Sequence, residues 1–267
     1  MKEAIVMETM FSEVDYEQRF VKIREAGYRY AELWNLNGRD PEKIRRLADE
    51  NDVTIIGISG DISGRGNDPG MTDADRQEEY IALVQECMGI AKILGAKYLH
   101  MHSNGFDEYG NCIPCAALTA QQKKESMVKN LKTLAPMLEK EGLICVMEAC
   151  NSLIDTPGYF LNHTLLGAEI IREVNSPCVR LIYDVYHAQV MEGNLINTIK
   201  AIQDVLEYVH FSDCPGRHEP GTGEIYFRGI LRALKEIGFD GPLAYEVYPL
   251  RSSEEAVEAI KALYDEN

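Results

Sequence analysis

The run VRLIYDVYH (residues 179–187) joins a short, mostly apolar segment to an acidic residue, Asp184. A short apolar run precedes an acid in two further places, LICVM before Glu148 and PLAY before Glu246, and LEYV precedes a histidine, His210. A short, bounded apolar run is typical of a strand buried in a parallel sheet. The carboxyl ends of parallel strands meet at one edge of the sheet, so we expect these four polar residues to lie close together.

The rest of the chain repeats this alternation of short apolar runs and longer amphipathic ones. We predict strands at residues 4–7, 30–34, 54–59, 98–102, 143–148, 179–184, 208–212 and 243–248. We predict helices at residues 16–26, 41–51, 73–94, 119–141, 164–174, 195–202, 227–237 and 253–264. Eight strands and eight helices in alternation favour a parallel sheet with right-handed crossovers that closes into a barrel. The sequence therefore predicts an α/β protein, a (β/α)8 TIM barrel in which residues 1–267 form a single domain.

Length and charge narrow the class of protein. The chain has 267 residues, 45% of them hydrophobic and 26% charged, and its formal net charge is −16. A surface this acidic repels nucleic-acid phosphates and anionic membranes. We therefore expect a small-molecule substrate, no nucleic acid and no membrane partner, and these features leave homo-oligomer formation open.

The cysteines and the N-terminal residues bear on location. The seven cysteines are an odd number, and the N-terminal run MKEAIVMETM has no signal-peptide pattern. These features predict a reducing, cytoplasmic location. Cys112 and Cys115 form an isolated C-x-x-C, which is weak evidence for zinc or redox chemistry because no second pair stands nearby.

The four polar residues at the strand ends form a candidate metal site. Three carboxylates and one imidazole make a ligand set that suits Mn²⁺, Mg²⁺ or Co²⁺: Glu148, Asp184, His210 and Glu246. Carboxylates crowded at one barrel mouth repel each other unless a cation or a proton lies among them. One such acid alone is usually a helix cap or a surface charge, but three acids and a histidine at four successive strands indicate one divalent metal ion and no organic cofactor.

Four further residues are candidate substrate contacts. His187 follows the sixth strand and can either point into the same mouth or cap a helix. Arg217 lies in a stretch rich in Pro and Gly, where its guanidinium can pair with a substrate carboxylate or diol, or can form an ordinary surface ion pair. His102 shares one face of the fourth strand with His100, and Trp34 ends the second strand. For these strand residues a plain structural role is the alternative.

Two connections are longer than a crossover requires, residues 60–72 and 213–226. Both follow strands and therefore belong at the carboxyl-end face of the barrel, where active sites are built. Their Gly and Pro content favours shaped loops over the site.

Three motifs carry a resemblance to a known family. The runs DTPGYFLN (155–162), DVYHAQVMEGNL (184–195) and PGRHEPGTGEI (215–225) are similar to those of the xylose isomerase-like TIM barrels, and within them to the hydroxypyruvate isomerases. The resemblance implies a metal site made of the four strand-end residues and substrate contacts at His187 and Arg217. It also implies isomerisation of a small hydroxy-oxo acid, such as hydroxypyruvate to tartronate semialdehyde, through an enediolate. Glu148 and Glu246 would then be the catalytic base and acid.

Other functions stay open at this point. The hydroxypyruvate isomerases tend to carry Gln where this chain has His210, which matches the ketose 3-epimerases and other sugar epimerases instead. Those epimerases usually carry a further Glu where this chain has Ile154. An endonuclease IV-like repair enzyme would need more histidines and a basic face, and a non-catalytic sugar-binding barrel would have no need of both glutamates.

Overall fold

The structure, a computed structural model, describes residues 1–264. Its eight strands are β1 (Lys2–Val6), β2 (Tyr30–Leu33), β3 (Thr54–Ser59), β4 (Tyr98–Met101), β5 (Ile144–Glu148), β6 (Val179–Asp184), β7 (Leu206–Phe211) and β8 (Pro242–Tyr245). Each strand pairs in parallel with the next, and β1 pairs with β8, so the sheet closes on itself. The prediction of a single-domain TIM barrel is confirmed. The last three residues of the predicted domain range, 265–267, lie outside the described residues.

The crossovers between strands are helical. The described residues contain α1 (Gln18–Glu25), α2 (Pro41–Glu50), α3 (Gln77–Leu94), α4 (Ala120–Glu141), α5 (Thr164–Val174), α6 (Val185–Met191), α7 (Leu195–Ala201), α8 (Phe227–Glu236) and α9 (Ser253–Ala262). A short 3₁₀ turn, Ala74–Arg76, precedes α3. Local sequence fixes several ends: the Asp40 carboxylate accepts the Glu42 N–H ahead of α2, and Thr119 forms a capping box with Gln122 ahead of α4.

The apolar residues form two layers. A small cluster fills the barrel interior and contains Ala4, Val6, Ile56, Tyr98, Val146, Ile182, Tyr208 and Ala244. A much larger cluster lies between the outside of the sheet and the helices. Strands that bury both faces explain why the sequence shows nearly continuous apolar runs rather than a strict alternation. Because the interior is a packed core, only the two barrel ends can hold a site.

The longest connections gather at the carboxyl ends of the strands. The predicted loops after β3 and β7 both lie there, as expected for βα connections. A third long connection, residues 102–119 between β4 and α4, was not predicted as such. It contains the antiparallel bridge between Phe106 and Cys112, and Cys115 in this loop lies 3.5 Å from the Thr72 hydroxyl (Sγ to Oγ1).

Some predicted boundaries differ from those observed. The eighth strand was predicted to reach residue 248 but ends at Tyr245, because the Tyr248 N–H is donated to the Arg217 carbonyl rather than to a neighbouring strand. The seven-residue helix α6 was not predicted, since so short a helix carries little periodic signal. No helix in the described part of the chain is long and apolar enough to cross a membrane.

Candidate active site

The four strand-end residues come together as predicted. Glu148 and Asp184 end β5 and β6, His210 lies one residue before the end of β7, and Glu246 follows β8. One ligand atom from each lies within 4.8 Å of the others, and all four side chains are buried. We call this set the quartet. From His210 Nδ1 the distance is 3.4 Å to Glu148 Oε1, 3.5 Å to Glu246 Oε2 and 3.8 Å to Asp184 Oδ2.

The donor atoms of the quartet fit a divalent cation. Three of them are buried without a hydrogen-bond partner among the described residues: Glu148 Oε1, Asp184 Oδ2 and His210 Nδ1. A buried polar atom that lacks a partner costs roughly 1–3 kcal/mol, and more for a charged group. Three such atoms facing one point, with the Glu246 carboxylate as the fourth donor group beside them, form the oxygen and nitrogen ligand set that Mn²⁺, Mg²⁺ and Co²⁺ accept.

The electrostatics of the quartet also favour added positive charge. Burial and the charge of Glu246 raise the pKa of Asp184 well above its usual range. Burial alone would raise the pKa of Glu246, but Arg217 and His210 hold it well below its usual range. Burial alone would lower the pKa of His210, yet Glu32 and the glutamates of the quartet raise it well above its usual value. A cation bound here relieves the repulsion between the carboxylates.

The buried carboxylate of Glu32 orients the ring of His210. Glu32 Oε2 lies 3.1 Å from His210 Nε2 and accepts the Tyr208 hydroxyl at 2.7 Å, while Glu32 Oε1 lies 2.9 Å from His100 Nδ1. Although burial disfavours its charge, the two imidazoles lower the pKa of Glu32 to about 2. The Glu32 carboxylate therefore fixes the ring of His210 with Nδ1 turned toward the other three ligands, an arrangement typical of histidines that bind metal.

His187 is placed as a neutral donor beside the quartet. Its Nδ1 accepts the Asn151 backbone N–H at 3.2 Å and the Asn151 side-chain amide at 2.7 Å. An Nδ1 that accepts leaves the proton on Nε2, which lies 3.9 Å from Asp184 Oδ2. Burial and the charge of Arg217 lower the pKa of His187 to about 4. Asp184 caps the start of α6, the helix that carries His187, because its Oδ1 accepts the His187 N–H at 2.8 Å.

Arg217 contacts the quartet directly. Its guanidinium donates to Glu246 Oε2 and lies 3.9 Å from Asp184 Oδ2. The guanidinium carbon is 5.3 Å from the Tyr186 ring centre and 5.8 Å from that of Tyr248. Arg217 has a φ of 54°, a strained value for a side chain of this size, which the surrounding loop imposes.

Trp34 and His102, the other predicted contacts, also reach the site. The Trp34 indole donates from Nε1 to Glu246 Oε1 at 3.1 Å, and its backbone N–H donates to Glu8 at 2.9 Å. His102 Nδ1 lies 2.8 Å from Asp61 Oδ1, and the His102 backbone N–H donates to Asp61 Oδ2 at 2.6 Å. With the quartet, His187 and Arg217, these residues surround one cavity of about 510 Å³, which every predicted site residue except Asp184 lines.

Sequence reasoning missed Asp61, Asn151 and Glu8. A signal for Asp61 was available, because it follows β3 as the quartet residues end or follow their own strands. Glu8 follows β1 at the same distance of two residues, so the same signal was available for it, whereas Asn151 acts on His187, which is distant in sequence. Among residues 1–264, Cys112 and Cys115 belong to none of the clusters of His, Cys, Asp and Glu side chains that could hold a metal ion.

Sequence comparisons place the chain among known proteins. A family model described as "Xylose isomerase-like TIM barrel" matches residues 20–265. The chain is 30% identical over 258 residues to a putative hydroxypyruvate isomerase of Danio rerio, covering 94% of this chain and 91% of that protein. It is 28% identical over 250 residues to the hydroxypyruvate isomerase of Escherichia coli K12, covering 92% of each. It is also 25% identical over 244 residues to the 2-oxo-tetronate isomerase of Haemophilus influenzae, covering 90% of each.

Solved structures show the same architecture. A protein from Brucella melitensis described as an AP endonuclease of family 2 superposes with a TM-score of 0.88 at 25% identity, over 98% of each chain. The D-psicose 3-epimerase of Clostridium cellulolyticum H10 superposes with a TM-score of 0.77 at 18% identity, over 99% of this chain and 97% of the other. The second likeness is evidence for the fold alone.

Proposed function

The chain belongs to the xylose isomerase-like TIM barrel family and is an isomerase, and from this premise we propose that it interconverts hydroxypyruvate, or a closely related 2-oxo acid, with its aldehyde isomer in a metal-dependent reaction. The observation that carries the metal dependence is the set of three buried, unpartnered ligand atoms of Glu148, Asp184 and His210. The oxo-acid substrate is supported by the relatives of similar length, which are named for hydroxypyruvate and 2-oxo-tetronate.

The proposed chemistry is a proton transfer between neighbouring carbons. In hydroxypyruvate, one C3–H bond breaks and one C2–H bond forms, while the hydroxyl proton leaves O3 and a proton is added to O2. The product is tartronate semialdehyde, so no external oxidant or reductant is needed. A bound divalent ion supplies Lewis-acid polarisation of the carbonyl and the adjacent hydroxyl.

The protein's own residues divide the proton transfers. We assign Glu148 and Glu246 as the acid and base, because both carboxylates belong to the quartet and both line the cavity. The Trp34 indole and the Arg217 guanidinium hold Glu246 in one orientation, and the charge of Arg217 keeps it ionised, as a base requires. His187 donates from Nε2 toward an oxygen that becomes negative during the transfer.

A ketose 3-epimerase is the second candidate, since His210 matches the residue type that the ketose 3-epimerases carry at this ligand position. Return of the proton to the same carbon from the opposite face would give epimerisation. The position that carries a further Glu in the epimerases is Ile154 here, and its side chain is 63% exposed and does not line the cavity. We therefore rank the epimerase second. The net charge of −16 disfavours a DNA substrate.

The test is a substrate screen on protein stripped of metal by a chelator and then reloaded with Mn²⁺, Mg²⁺ or Co²⁺. Hydroxypyruvate, 2-oxo-tetronates and free ketoses are each supplied in D₂O, and NMR reports both isomer formation and deuterium incorporation. We expect saturable, metal-dependent turnover of an oxo acid, which Glu246→Gln abolishes while thermal unfolding changes little. Turnover of ketoses alone would overturn the oxo-acid assignment.

A further inference from the structure

The half of the cavity wall away from the quartet contains a second set of polar side chains. The quartet occupies the ends of β5 to β8, so a substrate held there must extend toward the half of the mouth bounded by β2, β3 and β4. Most titratable groups that line this half are acids, among them Asp68, Asp107 and Glu108. An anionic substrate end therefore needs a specific positive partner on this side.

The candidates for that partner are few. Among the described residues that line the cavity, Arg217 is the one Arg or Lys, and its guanidinium already contacts Glu246 and Asp184. His187 Nδ1 accepts two N–H groups, so its ring is neutral. His100 lies deeper, is 2% exposed, and is paired with Glu32.

His102 differs from the other histidines of the cavity. Its Nδ1 faces Asp61 Oδ1 at 2.8 Å, and the second oxygen of Asp61 accepts the His102 backbone N–H at 2.6 Å and the Tyr80 hydroxyl at 3.3 Å. Asp61 is itself only 3% exposed, so it is a fixed acceptor at the wall. The ring of His102 lies edge-on to Phe106, with 5.2 Å between ring centres, which further restricts its rotation.

The free edge of the His102 ring faces the cavity. His102 lines the cavity, and its side chain is 13% exposed. Among residues 1–264, Nε2 has no hydrogen-bond partner and is not one of the fully buried atoms that lack one, so it keeps exposed surface at the cavity. A carboxylate on Nδ1 favours the doubly protonated ring, which presents an N–H at Nε2. Although burial disfavours the charge, Asp61 raises the pKa of His102.

We propose that His102, held by Asp61, is the subsite that receives the carboxylate of the oxo-acid substrate. This inference rests on the proposed function and deepens it. His102 contacts the substrate, whereas Asp61 is a positioning residue that acts through His102. Because β4 lies across the barrel from β8, a substrate anchored at His102 presents its other end to Glu246 and Arg217. The subsite would thus select hydroxy-oxo acids over neutral sugars of the same length.

The test compares two unreactive probes that differ only at the anionic end. Glycerate has the carbon chain of hydroxypyruvate, with a hydroxyl group in place of the ketone. Glycerol replaces the carboxylate of glycerate with a hydroxymethyl group. Binding of each is measured calorimetrically on metal-loaded protein. We expect wild type to bind glycerate more tightly than glycerol, and His102→Gln to weaken glycerate binding at least about tenfold while changing glycerol binding less than about twofold.

Two further variants separate the subsite from general damage. Asp61→Asn keeps an oxygen for the His102 backbone N–H but removes the charge that favours the cationic ring, so we expect the same selective loss of glycerate binding. Asp68→Asn is the matched control, because Asp68 is another buried carboxylate at this mouth but bonds to Ser63. We expect it to leave the preference for glycerate in place.

The outcomes distinguish this inference from the proposed function. If wild type turns over hydroxypyruvate and a folded His102→Gln variant binds glycerate as wild type does, the subsite is wrong and the proposed function stands. If wild type turns over no oxo acid but the His102→Gln variant selectively loses glycerate binding, the anion subsite stands and the proposed function fails. For active wild type, the inference further predicts that His102→Gln raises KM for hydroxypyruvate more than it lowers kcat.

Discussion

Oε2 of Glu32 lies 3.1 Å from Nε2 of His210, on the opposite side of the imidazole from the other three residues of the quartet. Glu32 is fully buried within β2, and no part of the proposed chemistry requires it to touch a substrate. Its effect is to hold the ring and to keep Nδ1 turned toward Glu148, Asp184 and Glu246. The metal affinity of the quartet should therefore depend on a residue outside it.

We expect Glu32→Gln to weaken binding of Mn²⁺ by roughly 10–100-fold, because the amide cannot supply the negative charge that makes His210 a better ligand. Calorimetric titration of metal-free protein measures the change. Tyr208→Phe is the control, since it removes another bond to the same Glu32 oxygen without touching His210, and it should alter affinity much less. Mn²⁺ binding by Glu32→Gln at the wild-type affinity would show that Glu32 has no such role.

Trp34 should report metal binding by fluorescence. It is the only tryptophan in the chain, and its indole N–H donates to Glu246, a member of the quartet. A cation bound at Glu246 changes the field at the indole, so titration with Mg²⁺ should give a saturable change in emission. Glu246→Gln should shift the midpoint to at least about tenfold higher metal concentration. Equal midpoints in wild type and in this variant would place the metal away from Glu246.

The positions of the quartet and of the strands could be predicted because both depend on short-range sequence pattern. An apolar run followed by an acid at a strand end needs no knowledge of the rest of the chain. The partners of the site residues could not be predicted in this way. Asp61 and His102 are 41 residues apart, and Asn151 and His187 are 36 apart, so their pairing appears only when the barrel closes.

The role of Arg217 illustrates the same limit. The Pro- and Gly-rich sequence around it correctly indicates a shaped loop, and the structure places the loop over the site. The sequence does not reveal that the guanidinium pairs with Glu246, since that contact depends on where β8 ends and on the bond between the Tyr248 N–H and the Arg217 carbonyl. A local pattern thus predicts which residue is presented, while tertiary packing decides what it contacts.

Glu8 should make stability depend on pH. Burial raises the pKa of Glu8 from 4.5 to about 7, in spite of the hydrogen bond from the Trp34 N–H. A carboxyl group whose pKa is higher in the folded state contributes stability that is fully present below pH 4.5 and is lost as the pH rises through 7. The side chain in Glu8→Gln stays neutral. The free energy of unfolding of this variant should therefore rise by about 1–3 kcal/mol relative to that of wild type between pH 5 and pH 8.

Urea unfolding at the two pH values measures this difference. The control is Glu50→Gln at an exposed position at the end of α2, for which the difference from wild type should be nearly the same at both pH values. If the difference in unfolding free energy between Glu8→Gln and wild type is also the same at both pH values, then Glu8 does not take up a proton on folding near neutrality.

The close approach of two loops at the cavity can be tested at Gly105. A Cβ added there would lie 1.9 Å from the Asp68 carbonyl oxygen, a backbone atom that can move only with its loop. Gly105→Ala should therefore destabilise the protein by about 1–3 kcal/mol. It should also raise KM, because the two loops that must separate carry cavity-lining residues, among them Gly66 and Phe106.

Gly89→Ala provides a matched comparison for the change at Gly105. Gly89 lies within α3, and an added Cβ would meet nothing within 4 Å among the described residues. Replacing a glycine inside a helix by alanine typically stabilises by about 0.5–1 kcal/mol, so the same substitution should have the opposite sign here and leave KM unchanged. Urea unfolding and steady-state kinetics measured on both variants separate a loop contact at the cavity from a general effect of the added methyl group. If Gly105→Ala is as stable and as active as Gly89→Ala, the two loops do not pack as closely as the structure places them.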